Sequence, residues 1–228
     1  MPNAVLGINQ SAGGLMTPAR ARQLPIRTAL SGPAAGVVGA IDSARSAGLT
    51  DVITLDMGGT SADVCLIRGC EAEVAYDRWI EGFPVRLASV DVNAVGAGGG
   101  SIAWFERDGL MKVGPQSAGA HPGPACYGRG GIDATVSDAN LVLGRLSPDG
   151  LLGGGMALDQ QAARAALKPA AERLDMSIEQ TAHGLLGIVV ANMVRAIRVI
   201  SVERGLSLKP IRRCRRKQRC SSRRSTYH

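Results

Sequence analysis

A chain of 228 residues, 45% of them hydrophobic, has material for one large or two small domains with a proper core. Its 30 glycines against two Trp, three Tyr and two Phe suit an α/β protein with many tight turns and argue against an aromatic-rich binding module. The formal charge of +7 misleads about partners: nine of the 26 basic residues follow Gly205, where no acidic residue occurs, which leaves 17 basic against 19 acidic residues in the body.

The opening Met1-Pro2-Asn3 has neither the basic start nor the apolar run of a secretory leader. A short strand is expected at Val5 to Ile8, and a short helix from Thr17 with Pro18 at its first position. Ser31-Gly32-Pro33-Ala34-Ala35-Gly36 opens an Ala/Val-rich helix whose start suits either an anion or tight packing on a sheet.

The chain is organised around Leu55-Asp56-Met57-Gly58-Gly59-Thr60-Ser61-Ala62-Asp63-Val64. Val52, Ile53 and Leu55 read as a buried strand, the glycine pair as a hairpin turn with positive φ, and Val64 to Ile67 as the returning strand. Backbone N–H groups of such a turn can converge on a phosphate, with Asp56 holding Mg²⁺ through water and Thr60 and Ser61 donating hydroxyl hydrogen bonds. A plain hairpin without a ligand accounts for the same residues.

A strand from Val85 to Val92 leads to a second glycine turn, Gly96 to Ser101, and Arg107-Asp108-Gly109 joins the strands Ile102 to Phe105 and Leu110 to Val113. Neither glycine stretch is a dinucleotide fingerprint or a P-loop: Ser101 stands where the third fingerprint glycine belongs, and a strand follows where a helix is required. Each of these turns can present donors to one polyphosphate, so Gly98, Gly99 and Gly100 are expected near Gly58 and Gly59. The Pro- and Gly-rich stretch from Gly114 to Gly131 predicts a long ordered loop. His121 and Cys126 within it have no acid or base partner at a recognisable spacing, and packing explains them as well as catalysis.

Ser137 reads as the N-cap of a helix through Leu146, with Asp138 at its anionic end. Two Ala-rich helices, Asp159 to Leu167 and Ala170 to Leu174, are expected to break at Pro169. Ser177-Ile178-Glu179-Gln180 is a capping box opening a long helix to about Arg204, with Leu185, Ile188, Val189, Met193, Ile197 and Ile200 as its core face and His183 at the surface. With Asn192, Arg195 and Arg198, its segment Leu185 to Val202 reads as too polar for a membrane span. Cys65, Cys70, Cys126, Cys214 and Cys220 form no metal-ligand spacing and read as reduced thiols of a cytoplasmic protein.

Six blocks carry a resemblance: Gln10-Ser11-Ala12-Gly13-Gly14-Leu15-Met16, Leu30 to Ala40, Asp56 to Val64, Val95 to Ala103, Gly123-Pro124-Ala125-Cys126-Tyr127-Gly128 and Asp138 to Gly144. In that order the chain resembles the hydantoinase A / 5-oxoprolinase family, related to acetone and acetophenone carboxylase subunits, over roughly residues 5 to 205. The resemblance implies an actin-like ATPase (ribonuclease H-like) fold of α/β class, incomplete here, with Gly-rich hairpins and C-terminal helices. It implies a function in ATP-dependent opening of cyclic amides of the hydantoin or 5-oxoproline type at a Mg-ATP site, or alternatively in ketone carboxylation. By the same resemblance Gly58, Gly59, Thr60, Ser61, Gly98, Gly99 and Gly100 bind the cofactor, Asp56 and Asp63 are catalytic, and Asp56 and Asp91 are metal candidates, a second divalent metal included. A second subunit or domain of the hydantoinase B type is the expected partner.

Two departures stand out. Many members carry His where Asn93 follows Asp91-Val92, and members continue beyond Gly205 into a further Gly-rich segment. Here residues 206–228 read instead as a basic disordered tail, resembling a chain read out of frame, beside a partial ATPase domain at residues 1–205. An inactive gene remnant, or a basic-tailed protein that grips nucleic acid non-specifically, is the competing expectation.

Overall fold

The computed structural model describes residues 5–80, 82–149 and 155–206, together with the backbone of Arg212–Arg215. Among the described residues the chain divides into two compact units, one of residues 5–56, 63–80, 82–94, 196–206 and 212–215, the other of residues 57–62, 95–149 and 155–195.

In the first unit, β1 (Ile8–Asn9) and β2 (Leu15–Met16) form a minimal antiparallel hairpin, so the first strand starts at the residue where the expected one ends. Val5 is 96% exposed and has no core to join. Helix α1 (Pro18–Gln23) starts as expected, with the Thr17 hydroxyl accepting the Arg20 N–H and Pro18 in the first turn. Helix α2 (Ser31–Ser46) buries Ala34, Val37 and Ala44 in a cluster with Val52, Cys65, Ile67 and Val90. Small side chains on one stripe of α2 thus meet the β-branched run of the sheet, and burial of this apolar surface is what holds them together.

The sheet has the order β11-β3-β4-β5, with β8 also paired to β4; its strands are β3 (Val52–Met57), β4 (Ala62–Arg68), β5 (Glu71–Ala72), β8 (Val92–Val95) and β11 (Arg212–Arg215). β11 lies parallel to β3, Arg212 opposite Val52. The structure differs here from the expectation of an unstructured tail: the edge of β3 offers unpaired N–H and C=O groups, and backbone pairing there is indifferent to side-chain type. The remainder of that tail, like the frame question, lies outside the described residues.

A separate hairpin of β6 (Val74–Ile80) and β7 (Phe83–Val90) was not expected on its first strand. β6 is mostly exposed, Tyr76 and Trp79 included, so the burial alternation that marks a strand is weak in it. The expected strand from Val85 to Val92 is divided between β7 and β8.

In the second unit, β9 (Ser101–Phe105) and β10 (Met111–Ser117) form an antiparallel hairpin, and β10 takes up the first residues of the expected long loop. Helix α3 (Val136–Val142) is capped by Thr135, not Ser137: the Thr135 hydroxyl accepts the Asp138 N–H while the Asp138 carboxylate accepts the Thr135 N–H. Helix α4 (Gln160–Leu174) runs unbroken through Pro169. Ala165, which loses its intrahelical donor to Pro169, is exposed, so water can serve its carbonyl, while Ala163, Leu167, Ala170 and Ala171 anchor the buried side.

Helix α5 (Ile178–Ile200) begins at the expected capping box, Ser177 and Gln180 bonding reciprocally at 2.9 and 3.1 Å. It ends four residues earlier than expected, in a short 3₁₀ turn at Val202–Arg204. Contrary to the sequence reading, the stretch Ile178–Arg204 is long and apolar enough to cross a membrane by length and composition. Its Ala182, Leu185, Leu186 and Val189 are nevertheless buried in the second unit, as on a core helix, and His183 is exposed as expected.

Candidate functional site

The second unit brings the two glycine turns together. The Gly99 N–H donates to the Gly58 carbonyl at 2.9 Å and the Gly100 N–H to the Gly59 carbonyl at 2.6 Å. On the other side, the Gly99 carbonyl accepts the Ser137 N–H at 2.8 Å and the Gly100 carbonyl accepts the Ala118 N–H at 2.9 Å. The Gly98 N–H donates to the Ser101 hydroxyl at 2.9 Å. All three N–H groups expected to cradle phosphate are therefore spent inside the protein, and the structure gives Gly98, Gly99 and Gly100 a different task. A Cβ on Gly98 would lie 2.5 Å from the Thr60 backbone, so only glycine permits this approach.

The first turn is the reverse case. Neither Gly58 nor Gly59 has the positive φ expected of it, a Cβ on Gly59 would meet nothing within 4 Å, and one on Gly58 only the Ser61 carbonyl at 3.6 Å. Among the described residues no neighbour requires glycine at either position. The turn is closed by the Gly58 N–H donating to the Ser61 carbonyl at 2.9 Å. Among the described residues the N–H groups of Gly59, Thr60 and Ser61 and the hydroxyls of Thr60 and Ser61 have no hydrogen-bond partner.

A trans peptide is planar, with its N–H opposed to its C=O. Holding the Gly58 and Gly59 carbonyls against Gly99 and Gly100 thus turns the Gly59 and Thr60 N–H groups the other way, toward exposed space. The second turn aims the donors of the first. A space free of Cβ with several N–H groups on it has the donor set that a phosphate takes.

The two carboxylates that bracket this turn in sequence belong to the first unit. Asp56, at the end of β3, is exposed, and its Oδ2 lies where a Cβ on Gly36 of α2 would stand 3.4 Å away. Asp63 on β4 is half-buried, and burial first, then the neighbouring Asp56 charge, pushes its carboxyl above the ordinary range.

Asp91 has another occupation. Its Oδ1 accepts Arg78 and its Oδ2 accepts Arg204, both at 2.9 Å, and Arg204 also reaches Glu73 at 3.1 Å. Both oxygens are occupied by guanidinium donors, which removes the reason for treating Asp91 as a metal ligand. Asn93, in the position where His was the expected residue, donates to the Ala196 carbonyl at 3.2 Å. No group of three or more His, Cys, Asp or Glu side chains is placed to hold a metal ion among the described residues.

His121 is exposed and without a hydrogen-bond partner among the described residues. Cys126 is fully buried, and burial first, then the Asp138 carboxylate, raises its thiol far above the ordinary range, so it is no nucleophile. Burial likewise pushes the Cys65 thiol up to about 12. Sequence reasoning assigned Asp138 only to the helix dipole, although the spacing Thr135-x-x-Asp138 was there to mark the capping box.

The fold as a whole is shared with solved structures of actin-like ATPase type. Nucleotide-free acetone carboxylase matches with a TM-score of 0.80 at 33% identity over 89% of this chain and 28% of that one. The ATP-dependent caprolactamase of Pseudomonas jessenii matches with a TM-score of 0.76 at 39% identity over 90% and 30%. The fold is an actin-like ATPase domain, present in part.

The family is equally definite. Residues 2–215 match the hydantoinase/oxoprolinase family model, and the chain belongs to that family. The caprolactamase subunit alpha of Pseudomonas jessenii is 43% identical over 86% of this chain and 28% of its own length. The 5-oxoprolinase 1 of Arabidopsis thaliana is 38% identical over 88% and 17%. The acetophenone carboxylase gamma subunit of Aromatoleum aromaticum is 38% identical over 75% and 24%. The chain thus spans less than a third of the length of each of these relatives.

Proposed function

We propose that this chain is the segment of an ATP-dependent cyclic-amide hydrolase that holds the phosphates of Mg-ATP, with hydantoin or 5-oxoproline as the substrate class. The observation that carries the reading is the Gly58-Gly59 turn, where glycine serves neither a positive φ nor a crowded neighbour and two N–H groups are aimed outward. The Gly59, Thr60 and Ser61 N–H groups would hold phosphate oxygens, and the Thr60 and Ser61 hydroxyls would add two donors. Asp56 would orient the metal through water, and Asp63 would complete the carboxylate pair. When held by these residues, Mg-ATP would supply the phosphoryl chemistry that activates an amide carbonyl oxygen for ring opening. The chain's own contribution is positioning and charge neutralisation.

Gly98, Gly99 and Gly100 enter this reading as the support of the phosphate turn. Relatives described as subunits favour a partner subunit, of the hydantoinase B type in this reading. Free, partly or fully buried Cys65, Cys70 and Cys126 suit a reducing, cytoplasmic setting. Titration of Mg-ATP into the chain is expected to show binding weaker than low micromolar. Co-expression with the segments by which its relatives are longer is expected to tighten it, and Asp56→Ala to abolish it. Low-micromolar binding by the chain alone would overturn the expectation that those further segments complete the nucleotide site, and no binding by the co-expressed assembly would overturn the nucleotide reading.

A second reading, as part of an ATP-dependent ketone carboxylase, is favoured by the 0.80 TM-score with acetone carboxylase. ATP hydrolysis by the assembly that depends on a ketone plus bicarbonate, and not on a lactam or hydantoin, would select it.

A further inference from the structure

Asp138 is 0% exposed, and no cation pairs with it among the described residues. Its Oδ1 accepts the Cys126 N–H at 2.7 Å, and its Oδ2 accepts the Thr135 N–H at 3.0 Å and the Thr135 hydroxyl at 2.7 Å. A buried carboxylate is costly, and a seven-residue helix needs no more than an ordinary Ser, Asn or Thr cap. The charge is spent on more than capping: it joins the loop at Cys126 to the first turn of α3.

That first turn aims the Ser137 N–H at the Gly99 carbonyl, 2.8 Å away. The same Gly99–Gly100 peptide unit carries the Gly100 N–H, which holds the Gly59 carbonyl at 2.6 Å. Because each peptide is a rigid plane, the tilt of α3's first turn sets the tilt of the Gly99–Gly100 plane, and that plane sets the Gly59–Thr60 plane with its outward N–H. Hydrogen bonds in such a chain also polarise one another.

We infer that Asp138 is a positioning residue for phosphate binding, acting through Ser137 and the Gly99–Gly100 peptide on the Thr60 N–H. The inference rests on the nucleotide reading for its ligand and on the described hydrogen bonds for its geometry. An Asn at 138 keeps one acceptor oxygen and turns the other into a donor, so it must abandon either Cys126 or Thr135.

The test uses the full chain, with amide hydrogen exchange at Gly99 and Gly100 and a Mg-ATP titration followed at the Gly59 and Thr60 amides by NMR, well below the unfolding temperature. Asp138→Asn is expected to speed exchange at Gly99 and Gly100 and to raise the Mg-ATP Kd, each about tenfold, the loss of one charge-assisted hydrogen bond. Thr135→Val is expected to do the same and Thr135→Ser, which keeps the hydroxyl, to restore both. A purely structural role would lower the unfolding temperature and leave the Kd of the folded molecule unchanged, and that result overturns the inference. Where Asp138→Asn fails to fold, the Val and Ser variants at 135 give the same comparison. Absence of Mg-ATP binding at millimolar concentration by both the native chain and its co-expressed assembly defeats the nucleotide reading, while unchanged exchange at Gly99 and Gly100 in folded Asp138→Asn defeats the positioning relay.

Discussion

Asp63 sits half-buried on β4 with the Asp56 charge beside it, and both effects raise its pKa above 3.8. The folded state therefore holds this proton more tightly than the unfolded chain, so the carboxyl favours folding below the ordinary aspartate range and loses that advantage as pH rises through the folded value. Above that folded value the ionised carboxylate of Asp63 is destabilising. Asp63→Asn is expected to raise the unfolding temperature at pH 7, with the gain vanishing as pH falls below about 3.8, as followed by thermal denaturation across pH. Glycines divide by the same kind of reasoning. Gly59→Ala meets nothing within 4 Å and should leave stability unchanged or higher by about 0.4–1 kcal/mol while weakening Mg-ATP binding. Gly98→Ala drives a methyl into the Thr60 backbone and should cost at least about 1–3 kcal/mol in chemical denaturation. Sequence alone marked both glycine runs as a phosphate site. It could not divide the labour between them, because that depends on which N–H groups a long-range contact consumes.

At the scale of elements, local chemistry was readable wherever one residue decided the outcome. Thr17-Pro18 started α1, and the Ser177 and Gln180 box started α5, each through side-chain bonds within three residues. Pro169 misled because its cost is local while its compensation is tertiary: Leu167 is 0% exposed and Ala170 and Ala171 are buried, so the two halves of α4 are held in one line. Removing the proline should show the cost. Pro169→Ala is expected to stabilise the protein by about 1–3 kcal/mol in urea unfolding, and no gain would mean that water and packing already offset the missing hydrogen bond. β6 escaped notice for the opposite reason, since a strand without a buried face carries little pattern to read.

At the scale of the molecule, family and fold were legible because six blocks occur in order along one chain, and residues 2–215 match the family accordingly. Substrate choice was not, since the chain spans 28% of the caprolactamase subunit it matches and whatever selects a lactam or a ketone need not lie within that share. The docking of the two glycine turns has one more consequence, for genetics. Around Gly98 the obstructing atoms are the Thr60 N and C and the Gly59 C, all main chain, whereas at Gly99 the obstruction is the Ser137 hydroxyl, 2.9 Å from a Cβ built there. A lesion at Gly99 can be suppressed by a second substitution at Ser137 that trims the hydroxyl away. A lesion at Gly98 has no such suppressor, because no codon change at a partner can remove a peptide backbone, and selection for recovered function should return only the original glycine.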